Sequence, residues 1–322
     1  MGNPFTIKDI STYRSELMGW AILWIMSLHF TFTQIKPLGF LAQYGFAGVD
    51  IFMLVSGLGL FYSLEKNSHI IPFYRKRFLR IFPTYYFLGI FASILLYHDN
   101  AITYLFRYTT IGFWTGGVYG EWYIPSIVFL YLLTPFIKKL FDQRLFLIII
   151  IICSLCLITS YIIVANNYIY KGEPHFFLLY RIPSFLFGMA CAYWIKHNSS
   201  NTDYYCILFV GIPFFILLFP QHHEIYNFKY FSLLFLLPIF TFFFIVISRY
   251  CHPINPIISI IGQASLEIYI IQGMFFHAIV TGIVTIPAEY HDITSIFLII
   301  LSSSLGISAH WLIDKTGITR IL

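Results

Sequence analysis

Apolar residues in this chain come in long blocks rather than at the spacing of one helix face or one strand face. Between short polar joins, runs of about twenty residues carry almost no charge, which is the length a helix needs to cross a hydrocarbon core of ~30 Å. Windows of that size fall at 17–35, 44–63, 80–97, 122–140, 145–165, 176–195, 204–221, 230–249, 257–282 and 293–313. The predicted element is helix throughout, because a strand or loop exposed to lipid would leave peptide groups unbonded. Pro83 and Pro183 interrupt the third and sixth windows, as membrane helices tolerate. Residues 1–15 are polar and lack the ordered charged, apolar and small-residue regions of a cleaved signal, so the first span is expected to remain as an anchor.

Composition narrows the class. The chain is 59% hydrophobic, 20% aromatic and 10% charged, with a mean hydropathy of +0.79, whereas a soluble domain carries about 25% charged residues. The expectation is an all-α integral membrane protein, a bundle of about ten transmembrane helices forming a single domain over residues 1–322 without a fused soluble domain. Ten spans put both termini on one side. Fourteen of the nineteen Lys and Arg residues fall there, among them Lys8, Arg14, Lys66, Lys138, Lys196 and Lys315, which makes both termini cytoplasmic. The net charge of +5 then sets orientation, and no nucleic-acid partner is expected. Five cysteines lie in or beside apolar runs, and Cys153 with Cys156 reads as packing within an isoleucine-rich stretch. No disulfide framework and no metal-ligand set are expected.

Ionisable residues at membrane depth are expensive and point to function. His29 stands deep in the first span and Asp50 inside the second. At 1.5 Å per residue their depths come to roughly 18 Å and 20 Å above the inner face, so the two groups can meet. A carboxylate beside an imidazole fixes its tautomer and suits a general base; a structural pair locking two helices is the alternative. Gly45, Gly48, Gly57 and Gly59 allow those spans to approach closely. Entering the third span from the cytoplasm, Phe73-Tyr-Arg75-Lys76-Arg77-Phe-Leu-Arg80-Ile-Phe-Pro83 serves either orientation and anionic lipid or a phosphorylated ligand, for which guanidinium forks are suited. Glu121 and Trp122 open the fourth span on the outer side, Arg181 lies just inside the sixth, and Glu267 sits near mid-membrane in the ninth. Glu267 needs a partner there, and Arg181 is one option. Nothing in the sequence singles out His277 or His310.

These segments, taken in order, resemble the acyltransferase-3 family of integral membrane acyltransferases. The resemblance rests on Leu17-Met-Gly-Trp-Ala-Ile-Leu through His29, Gly48-Val-Asp-Ile-Phe-Met-Leu-Val-Ser-Gly57, the basic stretch to Pro83, Glu121-Trp-Tyr-Ile with Leu133-Thr-Pro135, Arg181-Ile-Pro-Ser-Phe-Leu-Phe-Gly188 and Ser265-Leu-Glu-Ile-Tyr269. It implies a multi-pass enzyme of the cell membrane, plasma or inner, that moves an acyl group, usually acetyl from acetyl-CoA, to a hydroxyl of a cell-envelope polysaccharide or lipid-linked sugar. Acetyl-CoA is then a donor substrate, and no cofactor is bound permanently. His29 and Asp50 would be catalytic, with His29 either general base or acyl relay. Arg75, Arg77 and Arg80 would hold the phosphates of CoA, and Glu121, Trp122, Arg181 and Glu267 would line the way in for the acceptor. Two positions depart from the family. Met18 stands where Arg is common, eleven positions before the His, and Gln272 stands where a His is common. Arg14, one helical turn below Met18 on nearly the same side, is expected to supply the missing guanidinium. The rival class is a proton-coupled transporter or flippase for a lipid-linked sugar, with His29, Asp50 and Glu267 as a proton relay.

Overall fold

The computed structural model describes residues 6–117, 120–140, 175–197 and 228–317. Among them there is helix and no strand. The longer helices are Arg14–Phe30, Ala47–Lys66, Ile70–Ala92, Tyr123–Leu140, His175–His197, Phe228–Tyr250, Ser265–Val280 and His291–Lys315. Among the described residues, four stretches are long and apolar enough to cross a membrane, namely Ala47–Lys66, Ile70–Tyr97, Tyr123–Leu140 and His291–Lys315; Leu237–Tyr250 with His252–Gln263 makes a fifth if counted as one span. The expected spans 145–165 and 204–221, with Cys153 and Cys156, lie outside the described residues.

Three of the expected spans differ in the structure; the first, placed at 17–35, ends its helix at Phe30. The third begins ten residues earlier than its apolar window, at Ile70, because the basic stretch is helical too. Pro83 sits inside this helix, and a π-turn at Ser93–Tyr97 prolongs it until His98 closes it in the left-handed region at φ 50°. The ninth is not one helix. Asn255–Gln263 and Ser265–Val280 meet at Ala264, so Glu267 occupies the first turn of a new helix, where unpaired N–H groups favour a carboxylate.

The chain forms two compact units, one of residues 1–17, 50–70 and 126–253, the other of 18–49, 71–125 and 254–322. In the first unit, the helices carrying Asp50 and Arg181 approach backbone to backbone. A Cβ added to Gly57 would collide with the Phe185 carbonyl, and one added to Gly188 with the Leu54 carbonyl. This is the small-residue packing that membrane helices use where no hydrophobic drive separates lipid from protein. Glu65 accepts from Lys138, at 2.6 Å, and from Lys196, tying the same helix to two others.

In the second unit, Ser265–Val280 packs against His291–Lys315, with Gly306 against Ile268. Gly19 lies against the Ile258 carbonyl and Gly48 against that of Ala21. The chain leaving Phe30 turns through Thr31 at φ 48°, and the Asp292 carboxylate accepts from three successive N–H groups, those of Thr33 (2.8 Å), Gln34 (3.0 Å) and Ile35 (2.7 Å). Ser295 Oγ donates to the Phe30 carbonyl. The last turn of the His29 helix is thus held by the helix His291–Lys315.

Candidate functional site

His29 sits in that last turn, half-buried, its ring stacked on Phe276 with centroids 4.5 Å apart. Its Nδ1 lies 2.6 Å from Oε1 of Gln272, which is fully buried. The amide's other end fixes the direction of this bond. Gln272 Nε2 donates to the Tyr269 carbonyl at 3.1 Å, so the atom facing His29 is the carbonyl oxygen, an acceptor only. The bond pattern therefore places the proton of the neutral imidazole on Nδ1 and leaves the lone pair on Nε2. An imidazole in this tautomer can accept a proton, or attack, through Nε2.

Gln272 is followed by Gly273, and Glu121 packs on it. The Glu121 carboxylate occupies the space that a side chain at residue 273 would fill. The segment Gly120–Tyr123 is held on both sides of this contact. Gly120 abuts the Tyr85 hydroxyl, a fully buried group with no hydrogen-bond partner among the described residues, and the Tyr123 ring meets that of Tyr269 edge-on at 5.3 Å. Although part of Glu121 is exposed, its carboxyl lies among apolar and aromatic groups, and burial lifts it from the ordinary carboxylate range to about 8. A shift in this direction favours the protonated acid, which can donate as well as accept a hydrogen bond. His29 and Glu121 thus meet consecutive residues of one helix, and Trp122, half-buried, follows directly.

Farther toward the start of that helix, Glu267 Oε1 accepts from Arg80 Nη1 at 3.2 Å and lies 3.2 Å from His310 Nδ1 and 3.5 Å from Thr84 Oγ1. Arg80 Nη2 donates to the Gln263 carbonyl at 3.1 Å, at the helix break. Arg80 and His310 are therefore the partners of Glu267, the place for which Arg181 was an option. Three residues before Arg80, and so on nearly the same helix face, Arg77 stands over the Phe73 ring at 5.5 Å; Arg75 is exposed.

The remaining expected residues belong to the first unit. Asp50, 1% exposed, accepts from Arg181 through Oδ2 and from Ser184 through Oδ1 at 2.6 Å, and Arg181 itself is 2% exposed. Both carboxylate oxygens are engaged by the helix His175–His197, while the tautomer-fixing position at His29 Nδ1 is filled by Gln272. The Arg14 guanidinium lies over Gly59, where a Cβ would come within 2.7 Å of Nη2.

Sequence reasoning did not assign Gln272, Gly273, Ser184 or His310 a role. Only Gln272 carried a signal, as a departure from the family's usual residue.

The chain belongs to the acyltransferase-3 family, whose acyltransferase domain matches residues 17–313. A protein of Acidianus two-tailed virus, provisionally designated an acetyltransferase, is 28% identical over 187 residues, which are 55% of this chain. The match spans 54% of that viral protein's own length. No solved structure matches the chain.

Proposed function

We propose that this membrane acyltransferase moves acetyl from cytoplasmic acetyl-CoA to a hydroxyl of a cell-envelope polysaccharide or lipid-linked sugar, with His29 as the reacting base. The observation that carries the reading is the bond pair at Gln272, which leaves the basic nitrogen of His29 at Nε2. In the reaction, Nε2 takes the proton of the acceptor hydroxyl as its oxygen attacks the thioester carbonyl carbon. The C–S bond then breaks, and the departing CoA sulfur takes the proton back from Nε2. A relay in which Nε2 itself is acylated uses the same lone pair.

Arg75, Arg77 and Arg80 hold the donor's phosphates at the cytoplasmic side, and Arg14 adds a guanidinium where Met18 leaves one wanting. Glu121 and Trp122 meet the acceptor. Asp50 holds the buried Arg181 guanidinium. Ten spans with cytoplasmic termini, in the cell's plasma or inner membrane, give donor and acceptor access from opposite sides.

The test uses purified protein in detergent with labelled acetyl-CoA. Wild type should hydrolyse the thioester or transfer acetyl to added envelope glycans. His29→Ala should do neither, while keeping its fold and its affinity for CoA. A transporter would turn over no thioester, and an active His29→Ala protein would remove the mechanism.

A further inference from the structure

The sequence sets Glu267 on the path of the acceptor. The geometry points to a different place for it: we infer that Glu267 is a positioning residue of the donor site, holding Arg80 in the one pose from which it meets the phosphates of the nucleotide. This rests on the reading of Arg75, Arg77 and Arg80 as phosphate holders and says which of them is pre-set, and by what.

Arg80 has five N–H donors in a planar fork. One bonds Glu267 Oε1 and one the Gln263 carbonyl, each from a different terminal nitrogen. Two such bonds fix both the plane and the direction of the guanidinium. Three donors have no partner among the described residues, and the side chain is 35% exposed, so part of the fork is reachable. A planar cation fixed in this way loses less rotamer entropy when it binds a phosphate than one that starts free in water.

The tether is strong for a physical reason. Glu267 is 0% exposed, and its other oxygen, Oε2, is buried without a hydrogen-bond partner among the described residues. The hydrogen-bonding of the carboxylate is therefore gathered on Oε1, where Arg80, His310 and Thr84 converge. Should Arg80 swing away, a fully buried carboxylate would lose its strong cation. Leaving a buried charge without its partner is among the largest single penalties in a folded protein. The helix break at Ala264 supports the arrangement twice. It sets Glu267 in a first turn and frees the Gln263 carbonyl for Arg80.

A positioning role through Arg80 concerns only the phosphate-bearing end of the donor. The experiment therefore compares two donors, acetyl-CoA and S-acetylpantetheine, which has the thioester arm and no nucleotide. The quantity read is the ratio of their kcat/KM values. Arg80→Ala should lower that ratio about tenfold or more, as expected for loss of charge-assisted phosphate bonds. Glu267→Gln should lower it to a similar extent, and the double variant should fall no further than Arg80→Ala alone, because both changes act through one contact. If Glu267→Gln does not fold, Glu267→Asp keeps the buried charge but withdraws it by one carbon, and should lower the ratio in the same direction. A wild-type ratio in folded Glu267→Gln or Glu267→Asp, alongside a lowered one in Arg80→Ala, overturns the positioning role alone. So does a double variant whose losses simply add. A wild-type ratio in Arg80→Ala overturns the phosphate-holder reading and the positioning role together.

Discussion

Replacing Gln272 by Leu tests the geometry on which the chemistry of His29 depends. Leucine approximates the volume but removes the oxygen 2.6 Å from Nδ1 and the N–H on the Tyr269 carbonyl. The net worth of one such neutral bond is about 0.5–1.5 kcal/mol, and an N–H left buried without an acceptor costs about 1–3 kcal/mol. His29 is half-buried, which lets water recover part of the second figure, and the Nδ1–H tautomer also loses its bias. We expect the barrier to rise by about 1–2.5 kcal/mol, roughly a 5- to 70-fold fall in kcat at 1.36 kcal/mol per factor of ten. Loss of the base itself should be larger, at 10²–10⁴-fold, so Gln272→Leu should lie between wild type and His29→Ala. Turnover of labelled acetyl-CoA in detergent, with donor affinity by calorimetry, reads both numbers. Gln272→His, which can again offer Nδ1 an acceptor nitrogen, should recover most of the loss. Folded Gln272→Leu protein with kcat within about twofold of wild type would refute the tautomer argument, since the bond's expected worth exceeds that margin.

Gly273→Ala would put a Cβ into the space of Glu121 Oε1; displacement of that carboxyl should raise the acceptor's KM about tenfold, and an unchanged KM in acceptor titrations would release Glu121 from the site. Asp50→Ala removes the carboxylate paired with the buried Arg181 guanidinium, so unfolding should be easier by about 3–5 kcal/mol, visible in thermal melts of the detergent-solubilised protein. Arg14→Ala should be nearly inactive and Met18→Arg on top of it should restore transfer; full activity of Arg14→Ala makes that charge an orienting one only. Arg107, by hydrogen bond and charge, and Ser93 hold the Asp99 carboxyl below its usual range. A depressed folded value means that this contribution to stability is present above the ordinary Asp value of about 3.9 and is lost as pH falls through the lowered one. Melts recorded down this acid range should show the loss in wild type and not in Asp99→Asn.

Composition made the helices legible, since a run of twenty uncharged apolar residues has few other uses. The early start at Ile70 was hidden because Arg75, Lys76 and Arg77 lower hydropathy without opposing helix. The break at Ala264 was hidden for the opposite reason: both flanks are apolar, and neither Gly nor Pro stands at the junction itself. Individual ionisable residues could be picked out by depth, as with His29, Asp50 and Glu267. Their partners could not, because His29 and Gln272 are 243 positions apart, Arg80 and Glu267 187, and Asp50 and Arg181 131. Any buried charge announces that it needs a partner; spacing over such distances does not say which one. Gly273 shows the limit most plainly, since what matters there is the absence of a side chain in front of Glu121.

The seam between the His29 helix and the last described helix has a consequence for the order in which the molecule is made. Residues 14–30 leave the ribosome well before residues 272–295, yet the Phe30 carbonyl waits for Ser295 and the amides of 33–35 wait for Asp292. The imidazole waits for Gln272. Chains grow at about 5–20 residues per second, so His29 is without its supports for on the order of ten seconds or longer after it is made. A chain halted before residue 272 holds the histidine but not the groups that aim it. The groups that aim His29 are thus supplied by chain made 243 or more residues after it.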